Sequence, residues 1–423
     1  MKIHSILSYI ILLPLSQALE ITHDVLQTGS ITYNEPITID TDKSLKVTSG
    51  TNVNFMGSLN VDGNLCVSSN YINVTGSITN SHNIYLYNPG RYSHTSGTNI
   101  AVKSILNEKE GLLTVQSGAY LVNELFGASD SFINEGIINI PSFFPNLSIY
   151  GPESGIENTG TIVLGNTNAT FSNSVTGGGC ISNLNDAVYL DSTKEIDQTF
   201  WNSGGMEIHV IRGSYAKPLV FRGFSKGASI GYAVSSQTKT LSWNYDPTNG
   251  SMVINTSSSG ASSDIINIDL GPGYNSSLFT ITIDSVGIPG VSGVTQRYLT
   301  VRYKGVSPET TPPSECRLPS SLDYGQCSVL HLSSSSSHLP SSSSSSIRAT
   351  QISSSLKSTQ ASLNGHETSS RCIITNTRTK FQNTISTTHR EYVTGTDLTP
   401  ITLSSKVVTY FIAGNQTQKM SSS

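Results

Sequence analysis

Between residues 78 and 183 a triplet with an apolar residue two places before an asparagine recurs at near-constant spacing: Ile78-Thr-Asn80, Ile105-Leu-Asn107, Phe132-Ile-Asn134, Ile156-Glu-Asn158 and Ile181-Ser-Asn183. Asn54 is a weaker sixth member, with Asn52 at the apolar place. From Asn54 to Asn183 the intervals are 26, 27, 27, 24 and 25 residues. A beat of that length marks a stacked repeat. No 3.6-residue stripe accompanies it, so helix is not the repeating element. Ile37–Ile39, Leu59–Val61, Ile84–Leu86, Ile138–Ile140 and Ile162–Leu164 read instead as short strands with one buried face. Three such strands and three turns make one coil of a parallel β-helix. A single coil cannot bury its apolar face, but coils stacked at roughly 4.8 Å bury a continuous core. Equivalent asparagines then lie above one another, and their amides can bond along the stack. The competing reading is a β-sandwich whose turns happen to be evenly spaced.

The beat spans about residues 19–195. From 196 to 305 the strand-like segments become longer and more varied, from Met206–Ile211 to Tyr298–Tyr303. Turns such as Asp246-Pro-Thr-Asn-Gly250 and Gly271-Pro-Gly273 separate them. This pattern predicts a small antiparallel β-sandwich packed on the end of the solenoid and covering its last open edge. Residues 306–423 are dominated by serine and threonine, with pure serine runs at Ser333–Ser337 and Ser341–Ser346. Such a stretch lacks the apolar content to fold and reads as a disordered, O-glycosylated stalk.

Charged residues make up only 12% of the chain, about half the usual share. The net charge of −4 provides no basic footprint for nucleic acid. An apolar run from Ile6 to Leu15, followed by Ser16-Gln17-Ala18, reads as a signal peptide over 1–18, too short to be a transmembrane segment. Secretion gives meaning to seven Asn-X-Ser/Thr sequons, at Asn73, Asn146, Asn168, Asn249, Asn255, Asn275 and Asn415. It also predicts that most of the five cysteines pair. None has zinc-site spacing, and no cofactor or metal is expected.

Parallel β-helices also host polysaccharide lyases and hydrolases, which need acids, or arginine and lysine, clustered on one face of adjacent coils. Here the acids are sparse. Glu135 and Glu157 come nearest to equivalent places, but they flank their repeat asparagines on opposite sides and should point apart. Asp264 and Asp269 flank a strand and read as solvated, with calcium binding the lesser alternative. No nucleophile elbow or phosphate loop appears, so no catalytic residue is assigned.

Several ordered motifs carry a resemblance. They are Gly177-Gly-Gly-Cys180-Ile181, Gly223-Phe-Ser-Lys-Gly-Ala-Ser-Ile-Gly231, Tyr245-Asp-Pro-Thr-Asn-Gly-Ser-Met-Val-Ile254, Gly271-Pro-Gly-Tyr274 with Phe279 downstream, and Tyr303-Lys-Gly-Val-Ser-Pro308 followed by Cys316. Over roughly residues 19–320 the chain resembles the N-terminal domain of the hyphally regulated cell-wall protein family, which includes adhesin-like wall proteins of yeasts. The resemblance implies a right-handed β-helix with an attached sandwich, displayed from the wall on a glycosylated stalk, and no enzymatic activity. Members usually end in a glycolipid-anchor signal. Here the last apolar run is only Val407–Ala413, and Asn415–Ser423 is polar, so no clear anchor signal is expected.

Cys66 and Cys180 lie about five coils, or roughly 24 Å, apart and cannot bridge. Cys180 is expected to pair with Cys316 or Cys327, tying the end of the sandwich to the solenoid, and Cys66 to remain a buried thiol. The expected function is adhesion or wall structure, with a cell-wall polysaccharide or a host or cell-surface ligand as partner. A secreted carbohydrate-active enzyme and a soluble matrix protein are the alternatives.

Overall fold

The computed structural model describes residues 18–89, 97–117, 124–141, 147–211, 217–235, 237–257, 264–287, 295–319, 408–413 and 416–421. The chain divides into two units, 1–337 and 338–423. The first is all-β, a solenoid of about eight turns with a single 3-10 turn at Ser276–Leu278 as its described helix. The predicted signal peptide over 1–18 lies almost entirely outside the described residues.

Each coil contributes a strand to three parallel faces. The first face stacks Ile37–Ile39, Leu59–Val61 and Ile78–Asn80 in register, then the ends of Gly97–Asn107 and Glu124–Asn134. The second stacks Leu45, Leu65, Ile84, Leu113, Ile138, Ile162 and Ile181 in one inward column. The third stacks Ile100, Phe126, Ile149, Phe171 and Leu190. The alternation read from the sequence puts these side chains inside, where nearly all are below 5% exposed. Each buried aliphatic or aromatic side chain stabilises the fold by about 1.5–3 kcal/mol relative to exposure.

The coils differ in length. Ile78, Ile105 and Phe132 are equivalent across the long coils. Leu59 to Ile78 and Ile156 to Val175 are shorter steps of 19 residues. The solenoid also continues past residue 195, where the sequence pattern placed its end. Cys180–Leu190 pairs along its length in parallel with Thr199–Val210, which in turn pairs in parallel with Leu219–Arg222 and Ser229–Ala233. Phe200 and Phe221 extend the second face, and Ile208 and Ile230 the third. The asparagine beat stops in these coils, but the inward apolar columns do not.

Two antiparallel sheets grow from the last coil. Leu219–Arg222 takes on Asp264–Asp269, which pairs with Ser251–Ser257 and then Lys239–Tyr245. Ser229–Ala233 takes on Thr295–Tyr303 and then Phe279–Gly287. The second and third faces thus each continue into one sheet. An aromatic cluster fills the space between: Phe224, Tyr245, Tyr274 and Tyr303 all stand within 6.4 Å of Phe279, ring centre to ring centre. Such pairs add to simple burial.

In the second unit the described residues form one antiparallel pair, Val408–Ala413 with Gln416–Ser421. The sequence reading expected no strands there. The pair begins on the last apolar run of the tail, Val407–Ala413.

Candidate functional site

Polar side chains buried inside the solenoid need hydrogen-bond partners. Asn80 donates its amide to the Oδ1 of Asn107 at 2.7 Å, Asn107 to Asn134 at 2.7 Å, and Asn134 to Asn158 at 2.6 Å. All four are fully buried. The column then changes character. Gly177 follows Thr176, the partner of Glu157, and so stands opposite Asn158. A Cβ there would come within 2.8 Å of the Asn158 carbonyl oxygen. Asn158 donates past it to the Oε1 of Gln198 at 2.6 Å, two coils on. The Gln198 amide returns bonds to the carbonyls of Asn158, Thr176 and Asp197.

Two predicted ladder members belong elsewhere. Asn54 stands opposite Asn73 on the third face and donates to Thr32. The first-face place in its coil is taken by Val61. Asn183 stands on the second face, between Leu164 and Asn202. Both were drawn in by assuming a constant coil length, where the real steps shorten.

The motifs that carried the family resemblance converge on one junction. After Tyr303 the chain turns back along the solenoid. Glu309 accepts the backbone N–H of Gly223 at 2.8 Å and stands 3.7 Å from the Arg222 guanidinium. Arg222 grips both oxygens of Asp269 at 2.9 Å. Burial pushes the Glu309 carboxyl up, only partly offset by the Gly223 N–H and Arg222. The Tyr245 hydroxyl donates to the Gly271 carbonyl and accepts from the backbone N–H of Tyr274. The Tyr274 hydroxyl bonds that of Ser307, and burial raises its pKa strongly. Further along, Glu315 accepts from Thr199, the N–H of Arg317 donates to Thr161, and the Arg317 guanidinium reaches the carbonyls of Lys109 and Glu135. Between them Cys316 is joined to Cys180, with Cα atoms 5.0 Å apart. Cys327 lies outside the described residues. Cys66 is disulfide-bonded, which corrects the expectation of a free buried thiol; its partner also lies outside the described residues. The thiol reading rested on the distance to Cys180, which excludes that one partner and no other.

Of the sequon asparagines, Asn249 and Asn275 are exposed, and their side-chain oxygens accept bonds from Ser251 and Ser277. Asn73, Asn168 and Asn255 are half-buried: Asn73 accepts from Asn99, Asn168 from the N–H of Ala187, and Asn255 donates to Ser242. Asn146 and Asn415 lie outside the described residues.

The acids give no paired site. Glu157 stands opposite Ile133, whereas Glu135 lies beyond Asn134, and both are exposed. Asp269 is only partly solvated, its side chain 34% exposed, and Arg222 holds both its oxygens. Nothing is described of the Asp264 side chain. Among the described residues no cluster of three potential metal ligands occurs, and no helix is long and apolar enough to cross a membrane.

One concave feature combines space with chemistry. A pocket of about 250 Å3 opens where the last coil meets the antiparallel strands, lined by Glu207, Lys226–Ser229, Thr280 and Arg302–Lys304. Arg302 is anchored to Asp284 at 2.6 Å and to Thr282 at 3.1 Å. The Glu207 carboxylate lies 3.2 Å from the Nε2 of His209, whose ring is buried between Tyr189 and Tyr298. The hydrogen bond to His209 holds the Glu207 carboxyl below its ordinary range, outweighing burial. This pocket escaped the sequence reading because its charges come from three separated segments.

The chain matches the family model for the hyphally regulated cell wall protein N-terminal domain over residues 9–323. It is 30% identical over 156 residues to the adhesin AWP2 of Candida glabrata, covering 37% of this chain and 18% of that protein. It is 30% identical over 198 residues to the cell wall protein IFF6 of Candida albicans, covering 44% and 18%. With the cell wall protein IFF7 of the same species it shares 26% identity over 343 residues, covering 74% and 46%. The chain therefore spans less than half the length of these relatives. The solenoid, its antiparallel end and the disulfide-fixed return segment all fall within the matched range, and the chain belongs to the hyphally regulated cell wall protein family through its N-terminal domain.

Proposed function

We propose that this protein is a non-catalytic surface glycoprotein of the yeast cell wall, adhesin-like, mediating adhesion or wall structure. The family match over residues 9–323 is the observation that carries the reading. The relatives named as an adhesin and as cell wall proteins support it. In this reading the solenoid is right-handed, following the preference of parallel crossovers. The two antiparallel sheets form the sandwich that caps it. Residues 1–18 direct secretion, and the Ser/Thr-rich stretch carries O-linked sugars. The partner is a wall polysaccharide or a ligand on a host or neighbouring cell.

Fractionation of cells expressing the full chain, with an epitope tag near residue 330, tests the location. Tag is expected in the detergent-and-reductant extract or in the glucanase-released wall, and not in the medium. Tag wholly in the medium overturns the reading. Deleting the chain should also lower adherence of the cells to a sugar-coated or host-cell surface, and unchanged adherence would leave only the structural role.

A further inference from the structure

We propose that the pocket between the last coil and the antiparallel strands binds a sugar unit that carries one anionic group. Its walls come from four places in the chain: Glu207 on Thr199–Val210, the turn at Lys226–Ser229, Thr280 on Phe279–Gly287, and Arg302–Lys304 at the end of Thr295–Tyr303. Hydrogen bonds fix two of these segments, from the N–H of Lys226 to the Gly305 carbonyl and from the N–H of Lys304 to the Leu278 carbonyl, both at 3.0 Å. A space of about 250 Å3 takes one ring-sized group and is smaller than the sites that enclose larger ligands.

The charges select the class of ligand. Three cations, Lys226, Arg302 and Lys304, face one carboxylate, Glu207. Arg302 is already neutralised by Asp284. Lys226 and Lys304 are exposed, and neither ammonium makes an ion pair among the described residues. Two ammoniums on one rim concentrate anions and bond most strongly to charged oxygens. Glu207 narrows the choice further. It would repel a bare inorganic anion but accepts hydroxyl protons, so it suits a ligand with hydroxyls beside its negative group. A neutral sugar would leave both lysines without charged partners. The shared chemistry is a polyhydroxylated ring bearing a carboxylate or a phosphate.

The adhesive role of this pocket rests on the proposed surface function, whereas binding does not, so the two can fail separately. Calorimetric titration of the full chain with glucuronate, mannose 6-phosphate, glucose and mannose tests it. At least one anionic sugar should bind at least about tenfold more tightly than its neutral counterpart. The Lys226→Ala/Lys304→Ala variant should lose at least about tenfold with an unchanged Tm. If that variant does not fold, Lys226→Gln/Lys304→Gln replaces it. A preference for glucuronate assigns a carboxylate, and one for mannose 6-phosphate a phosphate. Absence of binding by either anionic sugar, equal binding of the neutral sugars, or undiminished binding by the lysine variant overturns the proposal. Binding by a chain found only in the medium would sink the surface reading alone.

Discussion

Asn134 both donates and accepts in the amide column, so it carries two bonds that no water can replace. Asn134→Ala leaves the Asn107 amide with only the Gly111 carbonyl and strands the oxygen of Asn158, and an unmet buried group costs about 1–3 kcal/mol. Its denaturation midpoint should fall accordingly, whereas the exposed Glu157→Ala should move it little. Gln198 offers a sharper test of the same chemistry. It bonds to Asn158 only because its side chain is long enough to pass Gly177. Gln198→Asn keeps the amide but not the reach, and should destabilise nearly as much as Gln198→Ala in the same unfolding measurement. At Glu207 the expectation concerns pH. Its folded-state pKa lies below the ordinary 4.5, so its contribution is present above that value and is lost as pH falls through the depressed one. The Tm difference between the native chain and Glu207→Gln should therefore be widest above pH 4.5 and close below it. Glu309 has the opposite sign, since burial raises it and stability declines as pH rises from 4.5.

At the scale of elements, the segment from Ser307 to Arg317 has no strand partner and is held by side chains and one covalent bond. The Cys180–Cys316 bridge spans 136 residues of sequence, and loops of that size place a disulfide near the upper end of its usual 2–5 kcal/mol. Cys316→Ser should open residues 305–319 to limited proteolysis while leaving the solenoid intact, and an unchanged digestion pattern would show that the polar contacts suffice. Much of this element could be read from the chain. Cys180 with Cys316 was one of two pairings foreseen, and the Gly271-Pro-Gly-Tyr274 and Tyr303–Pro308 motifs were singled out. What they do was not readable, because Tyr245, Tyr274, Ser307 and Glu309 meet only after two sheets have folded over one aromatic cluster. Coil boundaries were misread for a related reason. A constant interval fitted Asn80 through Asn158, where the coils are alike, but drew in Asn54 and Asn183, where neighbouring coils are shorter by several residues.

Through the solenoid the strands of each coil pair only with those of the coils beside it, so stability should be distributed along the axis rather than pooled. The opening strands Leu19–Ile21, Val25–Thr28 and Ile31–Tyr33 each pair on one side only among the described residues. Amide hydrogen exchange should be fastest there and slowest in the coils from Gly97 to Leu164, which have neighbours on both sides. Uniform protection from end to end would contradict a nearest-neighbour rod. The stacked architecture itself was the most legible property of the chain, since inward alternation repeats in every coil. Its extent was not, because Gln198 and the apolar pairs beyond it continue the stack without the asparagine that marked it. The bridge at Cys316 has a mechanical consequence. A pull applied to the chain at residue 319 meets Cys316 before it reaches Thr295–Tyr303 and passes through the sulfurs into the strand Cys180–Leu190. There it loads a strand whose residues 180–183 are hydrogen-bonded to parallel strands on both sides. The antiparallel strands, which would otherwise peel first, are bypassed while the bond is oxidised, so the force needed to unravel this end should drop sharply in reductant.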